Sequence, residues 1–186
     1  MRIISGNFRG KKLFLPKDKL TRPLKDVVKE SIFNLIQHSK KINLIIENSL
    51  ILDLFSGSGS FGIECISRKA QKVIFFENYP EAIKILEKNL NLLKNTDNYQ
   101  IYKKNSFNFF SSNNILNLKF DIIFIDPPYK EKKINKIIEI ILEKKILNKD
   151  GVLIIHRHKK DSIKLTNKLT IIEDRTYGIS KILFGN

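Results

Sequence analysis

Cysteine is almost missing from this chain: among 186 residues, Cys65 is the only one. A lone thiol excludes a disulfide framework and a thiolate metal cluster, and it fits a reducing, cytoplasmic setting. Long apolar runs are missing as well. No stretch approaches the length of a membrane span, and the opening Met1-Arg2-Ile3-Ile4-Ser5-Gly6 is too short an apolar run for a signal peptide. No internal repeat recurs. Negative charge is the scarce sign, with 19 Asp+Glu against 34 Lys+Arg and a formal net charge of +15. Such an excess attracts polyanions and speeds their encounter. An A+T-rich coding sequence would also raise Lys, Ile and Asn together, so the charge leaves nucleic acid open as a partner without requiring it.

What the chain does have is material for a core. Hydrophobic residues make up 42% of it, and 186 residues suit one domain, or one domain with a short extension. The first 49 residues differ from the rest. Arg2-Ile3-Ile4 and Lys12-Leu13-Phe14-Leu15 read as short strands, with a turn at Gly6 to Gly10 between them. Thr21-Arg22-Pro23 leads into a helix whose Leu24, Val28, Ile32 and Leu35 fall at helical spacing. This preface is basic, carrying Arg2, Arg9, Lys11, Lys12, Arg22 and Lys25.

From residue 50 strands and helices alternate. Apolar runs at Leu50 to Phe55, Lys72 to Glu77, Tyr99 to Lys103, Phe120 to Ile125 and Gly151 to Ile155 predict strands. Helices are expected near 60–69, after Pro80, and over Ile134 to Leu142. The Asn/Ser-rich stretch Ser111 to Asn114 reads as a loop. Leu169 to Glu173 and Ser180 to Phe184 read as two strands joined at Tyr177-Gly178, with no helix between them. The expectation is an α/β fold: a doubly wound, mostly parallel sheet with an antiparallel C-terminal hairpin, plus a small N-terminal β-hairpin/helix extension. The domain reading is 1–49 for the extension and 50–186 for the sheet domain.

Two motifs carry chemistry. In Asp53-Leu54-Phe55-Ser56-Gly57-Ser58-Gly59-Ser60-Phe61-Gly62, the glycines satisfy G-x-G-x-x-G between a strand and a helix. Such glycines let backbone approach a ligand closely, and the helix N-terminus favours an anionic group. Glu77, at the tip of the next strand, is placed to accept from two ribose hydroxyls. The motif alone does not separate a dinucleotide from S-adenosylmethionine. Asp53, four residues before the first glycine, suits a ligand bearing an ammonium and a sulfonium better than a pyrophosphate. No Gly-Lys-Ser/Thr follows, so a nucleotide-triphosphate loop is not indicated. A tight turn packing helix on sheet would also produce such a pattern.

The second motif is Asp126-Pro127-Pro128-Tyr129, directly after a buried strand, where ligands of open α/β sheets collect. The prolines fix φ and offer carbonyls without N–H donors. Asp126 and the Pro127 carbonyl could each accept a hydrogen of one amino group, and Tyr129 offers a face for stacking a planar base. An exocyclic amine is a poor nucleophile because its lone pair is delocalised. Two acceptors localise that pair and stabilise the positive charge growing on nitrogen. Its bland counterpart is a proline-stiffened turn.

Together with Met1 to Gly6, Phe8 to Leu13, Thr21-Arg22-Pro23 and Tyr177-Gly178, these motifs resemble the RsmD family over nearly the full length. That family methylates N2 of a guanine in bacterial 16S ribosomal RNA. The resemblance implies a Rossmann-like methyltransferase sheet, S-adenosyl-L-methionine as cofactor, and 16S rRNA within the 30S subunit or its assembly intermediate as partner. No membrane and no metal are expected, and the chain is expected to be a monomer. Carried over residue by residue, Asp53, Phe55, Gly57, Gly59, Glu77, Asn105 and Ser106 would bind cofactor. Asp126, Pro127 and Tyr129 would hold the guanine amine, and Arg9, Lys11, Arg22 and Lys130 would meet RNA.

Two positions depart from the family pattern. Lys104-Asn105 stands where Gly-Asp is frequent, although the Asn105 amide oxygen can still accept. His156 stands where a glutamate often ends the fifth strand. His156-Arg157-His158 puts two imidazoles on one side of a strand, but two ligands make a weak metal site, and a surface role is the expectation. Cys65 is expected to pack as a small apolar residue, and Phe107, Phe109 and Phe110 as core. The competing functions are a DNA adenine-N6 methyltransferase, a protein glutamine methyltransferase, and a non-catalytic RNA-binding assembly factor. A DNA enzyme usually carries a target-recognition region for which there is no space here, and glutamine enzymes usually have Asn where this chain has Asp126.

Overall fold

The computed structural model describes residues 1–17, 24–94, 96–111, 113–128, 131–161 and 165–186. Arg22, Tyr129 and Lys130, and with them the Thr21-Arg22-Pro23 motif, lie outside the described residues.

Among the described residues, seven strands form one sheet: β1 (Leu50–Leu54), β2 (Lys72–Phe76), β3 (Tyr99–Tyr102), β4 (Phe120–Ile125), β5 (Leu147–His158), β6 (Ile171–Tyr177) and β7 (Ser180–Gly185). Their order is β3-β2-β1-β4-β5-β7-β6. The first five strands pair in parallel, and β7 runs antiparallel to both β5 and β6. The chain order reverses between β1 and β4, and their carboxyl ends form the topological switch point at which ligands of open α/β sheets collect. The helices described are α1 (Asp26–His38), α2 (Ser60–Ser67), α3 (Pro80–Asn91), α4 (Asn113–Leu116) and α5 (Ile134–Glu143).

Strand residues alternate between two buried layers, as the period of two requires. Ile51, Val73, Phe75, Ile122, Phe124 and Ile154 face one way and pack with α1, α2 and α3 through Ile32, Phe33, Phe61, Ile63 and Leu86. Leu52, Leu54, Ile74, Ile123, Ile125 and Ile155 face the other way and meet Phe109, Ile115 and the α5 stripe Ile134, Ile137, Ile138 and Ile141. Both faces are covered, which explains why these strands read as continuous apolar runs.

Two local readings change. The stretch Ser111 to Asn114 is not simply a loop: Ser106–Ser111 forms a 3-10 turn and Asn113–Leu116 is helical. The Asn105 side chain starts that turn by accepting from Phe107 N–H at 2.9 Å. Burial of Phe109 and Ile115 then holds the segment on the sheet.

The two expected N-terminal strands shrink to one bridge, Arg2 with Lys12. The hairpin closes through Ile3 N to Lys11 O and Gly10 N to Ile3 O, both 2.9 Å, and Leu13 N to Met1 O at 3.1 Å, while several of its other backbone groups bond outward. Asn7 N donates to Ser67 O, Phe8 N to Ser67 Oγ and Phe14 N to Asn89 Oδ1. Gly6, at φ +81°, lies so close to α2 that a Cβ would sit 1.8 Å from the Ser67 carbonyl oxygen.

Glu64 makes the strongest attachment. Its fully buried carboxylate accepts from Ile4 N at 2.7 Å, Ser5 N at 2.9 Å and Arg68 Nε at 3.0 Å, with Lys29 Nζ at 3.7 Å. Lys29 donates to the Arg2 carbonyl at 2.7 Å. Burial pulls the Lys29 ammonium below its usual range, against the opposing pull of Glu64 and Asp26.

Candidate active site

The glycine loop is shaped by contacts that need its sequence. Phe55 sits at φ +60°, a left-handed conformation costly for a bulky residue. Its N–H is held by Ser106 Oγ at 2.9 Å, and Ser106 also reaches the Phe76 carbonyl at 3.3 Å, so one buried hydroxyl ties together the ends of β1, β2 and β3. Gly57 and Gly59 both take positive φ. A Cβ on Gly62 would lie 2.3 Å from the Phe75 ring, which is the close helix-on-strand packing that the third glycine of the motif permits.

Around this loop stand carboxylates. Asp53 is 1% exposed; its Oδ2 accepts from Gly62 N at 3.1 Å, and its buried Oδ1 has no hydrogen-bond partner among the described residues. Burial pushes its carboxyl well above the usual range, against the Gly62 N–H, and the charges of Asp126 and Glu77 push it further up. Glu77, at the end of β2, accepts from Gly57 N at 2.7 Å with one oxygen, and from Asn78 N and Tyr79 N at 2.8 and 2.9 Å with the other. Each carboxylate oxygen has a second lone pair, so Glu77 keeps acceptor capacity on the Gly57 side. An orphaned buried oxygen inside a group of three acids, Asp53, Glu77 and Asp126, fits a cationic, hydroxyl-bearing ligand such as S-adenosylmethionine and opposes a pyrophosphate. Asn105 is exposed beside Ser106; its amide oxygen already starts the 3-10 turn, leaving one lone pair and the NH2 for a ligand.

The corner lies next to this loop. Leu54 of β1 is in register with Ile125 of β4, and Asp126 N donates to the Leu54 carbonyl at 3.4 Å. Asp126 is partly exposed, Pro127 buried and Pro128 exposed. Glu131 N donates back to the Pro128 carbonyl at 2.8 Å. The structure thus brings Asp53, Phe55, Gly57, Gly59, Glu77, Asn105, Ser106, Asp126 and Pro127 to one edge of the sheet. Arg9 and Lys11 sit elsewhere, on the exposed hairpin against the far half of α2. Lys11 Nζ donates to the Leu92 carbonyl at 3.1 Å, and Lys88 Nζ lies 3.6 Å over the half-exposed Phe14 ring.

One expectation fails outright. His156 and Arg157 are not surface residues; they are 6% and 3% exposed, because β5 is an interior strand between β4 and β7. His156 Nδ1 lies 2.7 Å from Asp126 Oδ1. Arg157 pairs with Asp161 and donates from Nη2 to the Glu131 carbonyl at 3.0 Å. The missed signal was positional: His156 directly follows the apolar run Val152 to Ile155, and Ile155 is in register with Ile125, one residue before Asp126. Cys65 is buried as expected, and burial raises its thiol well above the usual range, so it is inert. Phe109 is core, while Phe107 and Phe110 pack at its margin.

Comparison with known proteins agrees with this geometry. A family model described as conserved hypothetical protein 95 matches residues 1–186. The chain is 33% identical over 183 residues to "Putative rRNA methyltransferase YlbH" of Bacillus subtilis, covering 98% of this chain and 96% of the relative. It is also 33% identical over 173 residues to "Ribosomal RNA small subunit methyltransferase D" of Buchnera aphidicola, covering 93% and 86%. Among solved structures it superposes with "Putative methyltransferase yhhF from Escherichia coli" at a TM-score of 0.79 and 25% identity, covering 100% of this chain and 96% of that one.

Proposed function

We propose the reaction from one premise: this chain belongs to the conserved hypothetical protein 95 family, the RsmD family that its motifs resemble. The chain is an S-adenosylmethionine-dependent rRNA methyltransferase, and its acceptor is the exocyclic N2 of a guanine in 16S rRNA of the small ribosomal subunit. The observation that carries the reading is the placement of the Asp126-Pro127 corner beside the Asp53 and Glu77 loop, joined by Asp126 N to Leu54 O at 3.4 Å.

When bound, S-adenosylmethionine supplies an electrophilic methyl on a sulfonium. Asp53, Gly57, Gly59 and Glu77 would hold it, with Phe55, Asn105 and Ser106 lining the nucleobase side. At the corner, Asp126 and the Pro127 carbonyl accept the two N2 hydrogens, which localises the nitrogen lone pair and stabilises the charge that develops there. Holding the amine in line with the methyl supplies the orientation term. Tyr129 would stack on the guanine. The basic extension, 1–49, would grip RNA through Arg9, Lys11 and Arg22, and Lys130, next in sequence to Tyr129, would join them. A base in folded RNA must be splayed out to reach this edge.

The test incubates the protein with labelled S-adenosylmethionine and either unmodified 30S particles or free 16S RNA. Labelling of one guanine, read by mass spectrometry as the N2-methyl product, is the expected result. No transfer to any ribosomal RNA sinks the proposal, and a methylated adenine or glutamine would reassign the corner.

A further inference from the structure

We infer that His156 is a positioning residue for Asp126, holding one carboxylate oxygen so that the other is presented to the acceptor amine. The contact stands on geometry alone; its consequence for chemistry rests on the methylation reading above.

The two residues lie side by side on adjacent parallel strands, Asp126 one residue past the end of β4 and His156 within β5. Ile125 pairs with Ile155, so Asp126 and His156 emerge side by side where β4 stops and β5 continues. β7 closes the other side, with His156 opposite Ile182, and the ring is buried. At 2.7 Å, Nδ1 and Oδ1 are within hydrogen-bond distance. A bare imidazole nitrogen and a carboxylate oxygen both present lone pairs, so a contact this short requires a proton between them. With Asp126 ionised, that proton is on Nδ1, which fixes the tautomer and makes His156 the donor. Oδ1 is thereby engaged, and Oδ2 is the oxygen left for the amine hydrogen.

The next residue secures the other end of the corner. Arg157, also buried, donates to the Glu131 carbonyl at 3.0 Å, and Glu131 N returns to the Pro128 carbonyl at 2.8 Å. One strand therefore grips the corner twice: by the Asp126 side chain and by the backbone returning from the prolines. A carboxylate fixed in this way does not have to be oriented during methyl transfer, which is where a positioning contact acts on rate rather than on binding.

The experiment compares the full-length protein with His156→Leu and His156→Asn in the 30S transfer assay, with cofactor affinity measured by calorimetry and folding by circular dichroism. His156→Asn keeps an N–H donor near the position of Nδ1; His156→Leu has none. The expected result is that His156→Leu lowers kcat about 10- to 100-fold, with cofactor affinity and KM for 30S held within about twofold, and that His156→Asn recovers to within about threefold of the parent. In ¹⁵N spectra of the unsubstituted protein, Nδ1 of His156 should carry a proton. Unchanged kcat in His156→Leu, an Asn variant as poor as the Leu variant, or a ring with no proton on Nδ1 would overturn the inference. Should the parent protein methylate no ribosomal RNA, the methylation reading fails, while the ¹⁵N spectra still decide whether His156 holds Asp126.

Discussion

Asp53→Asn should make the ligand-free protein more stable and the protein that binds cofactor worse. Asp53 is 1% exposed, with a single hydrogen bond from Gly62 N at 3.1 Å and a buried second oxygen that has no partner among the described residues. Burial, with Asp126 and Glu77 adding to it, raises its carboxyl well above the usual range. A group whose folded pKa is raised favours folding only while protonated. Its contribution is whole below the unfolded value of about 3.9 and is lost as pH rises through the folded value. Above that window the native state carries the full cost of a buried charge, which Asn does not. Asn keeps an acceptor for Gly62 but leaves its NH2 unsatisfied, so the net gain near neutral pH is about 1–2 kcal/mol. For a chain of this size that corresponds to a rise in Tm of roughly 2–8 °C. Near pH 4, where Asp53 is protonated in the fold, the advantage should vanish. Saturating cofactor, at about 100 times its Kd, should add about 2.7 kcal/mol to the parent and most of that should be missing in the variant. Thermal scans with and without S-adenosylmethionine, at both pH values, measure all four quantities. An Asn variant less stable than the parent at neutral pH, or one still fully stabilised by cofactor, would refute the assignment of Asp53 as a destabilising acid kept for a cation.

Three further outcomes follow from contacts described above. Glu64→Ala strands the Ile4 and Ser5 amides and the buried Lys29 ammonium, so it should cost about 3–5 kcal/mol in chemical denaturation and expose the first 17 residues to limited proteolysis. Gly62→Ala places a Cβ 2.3 Å from the Phe75 ring and should lose about 1–3 kcal/mol, with cofactor affinity falling alongside, as read by calorimetry. Asp126→Ala, which removes one of the three acids near the cofactor loop, should lower cofactor affinity far less than transfer to 30S particles, which should fall about 10²–10³-fold in a single-turnover assay.

The sheet was legible because both of its faces are buried. Leu50 to Leu54 and Phe120 to Ile125 are apolar but for one aspartate each, Asp53 and Asp121, and Pro80 starts α3 as its fixed φ predicts. The glycine loop and the Asp126 corner were legible for a different reason: close approach and rigid φ leave few residue types that work. Three features were hidden. The helical turn at Asn113–Leu116 is only four residues long and is ordered by the burial of Ile115, which local composition does not announce. The N-terminal hairpin read as two strands because two short apolar segments flank a glycine-bounded turn, yet several of its backbone groups are spent on Ser67 and Asn89, far along the chain. His156 and Arg157 read as surface because charged and imidazole side chains usually are. Only the strand order, which inserts β7 beyond β5, puts them inside.

The short helix α2 has two employments. Its first turn shapes the glycine loop, through Gly59 and the Gly62 N–H on Asp53, while Glu64 and Ser67 bolt the hairpin to its other half. Eight residues of helix span about 12 Å. The molecule is therefore built like a caliper with one jaw fixed: whatever the hairpin touches stands at a set offset from the cofactor loop. If the hairpin grips RNA as proposed, a substrate is measured as well as grasped, and a neighbouring nucleotide bound at the wrong spacing would not bring its amine to the methyl.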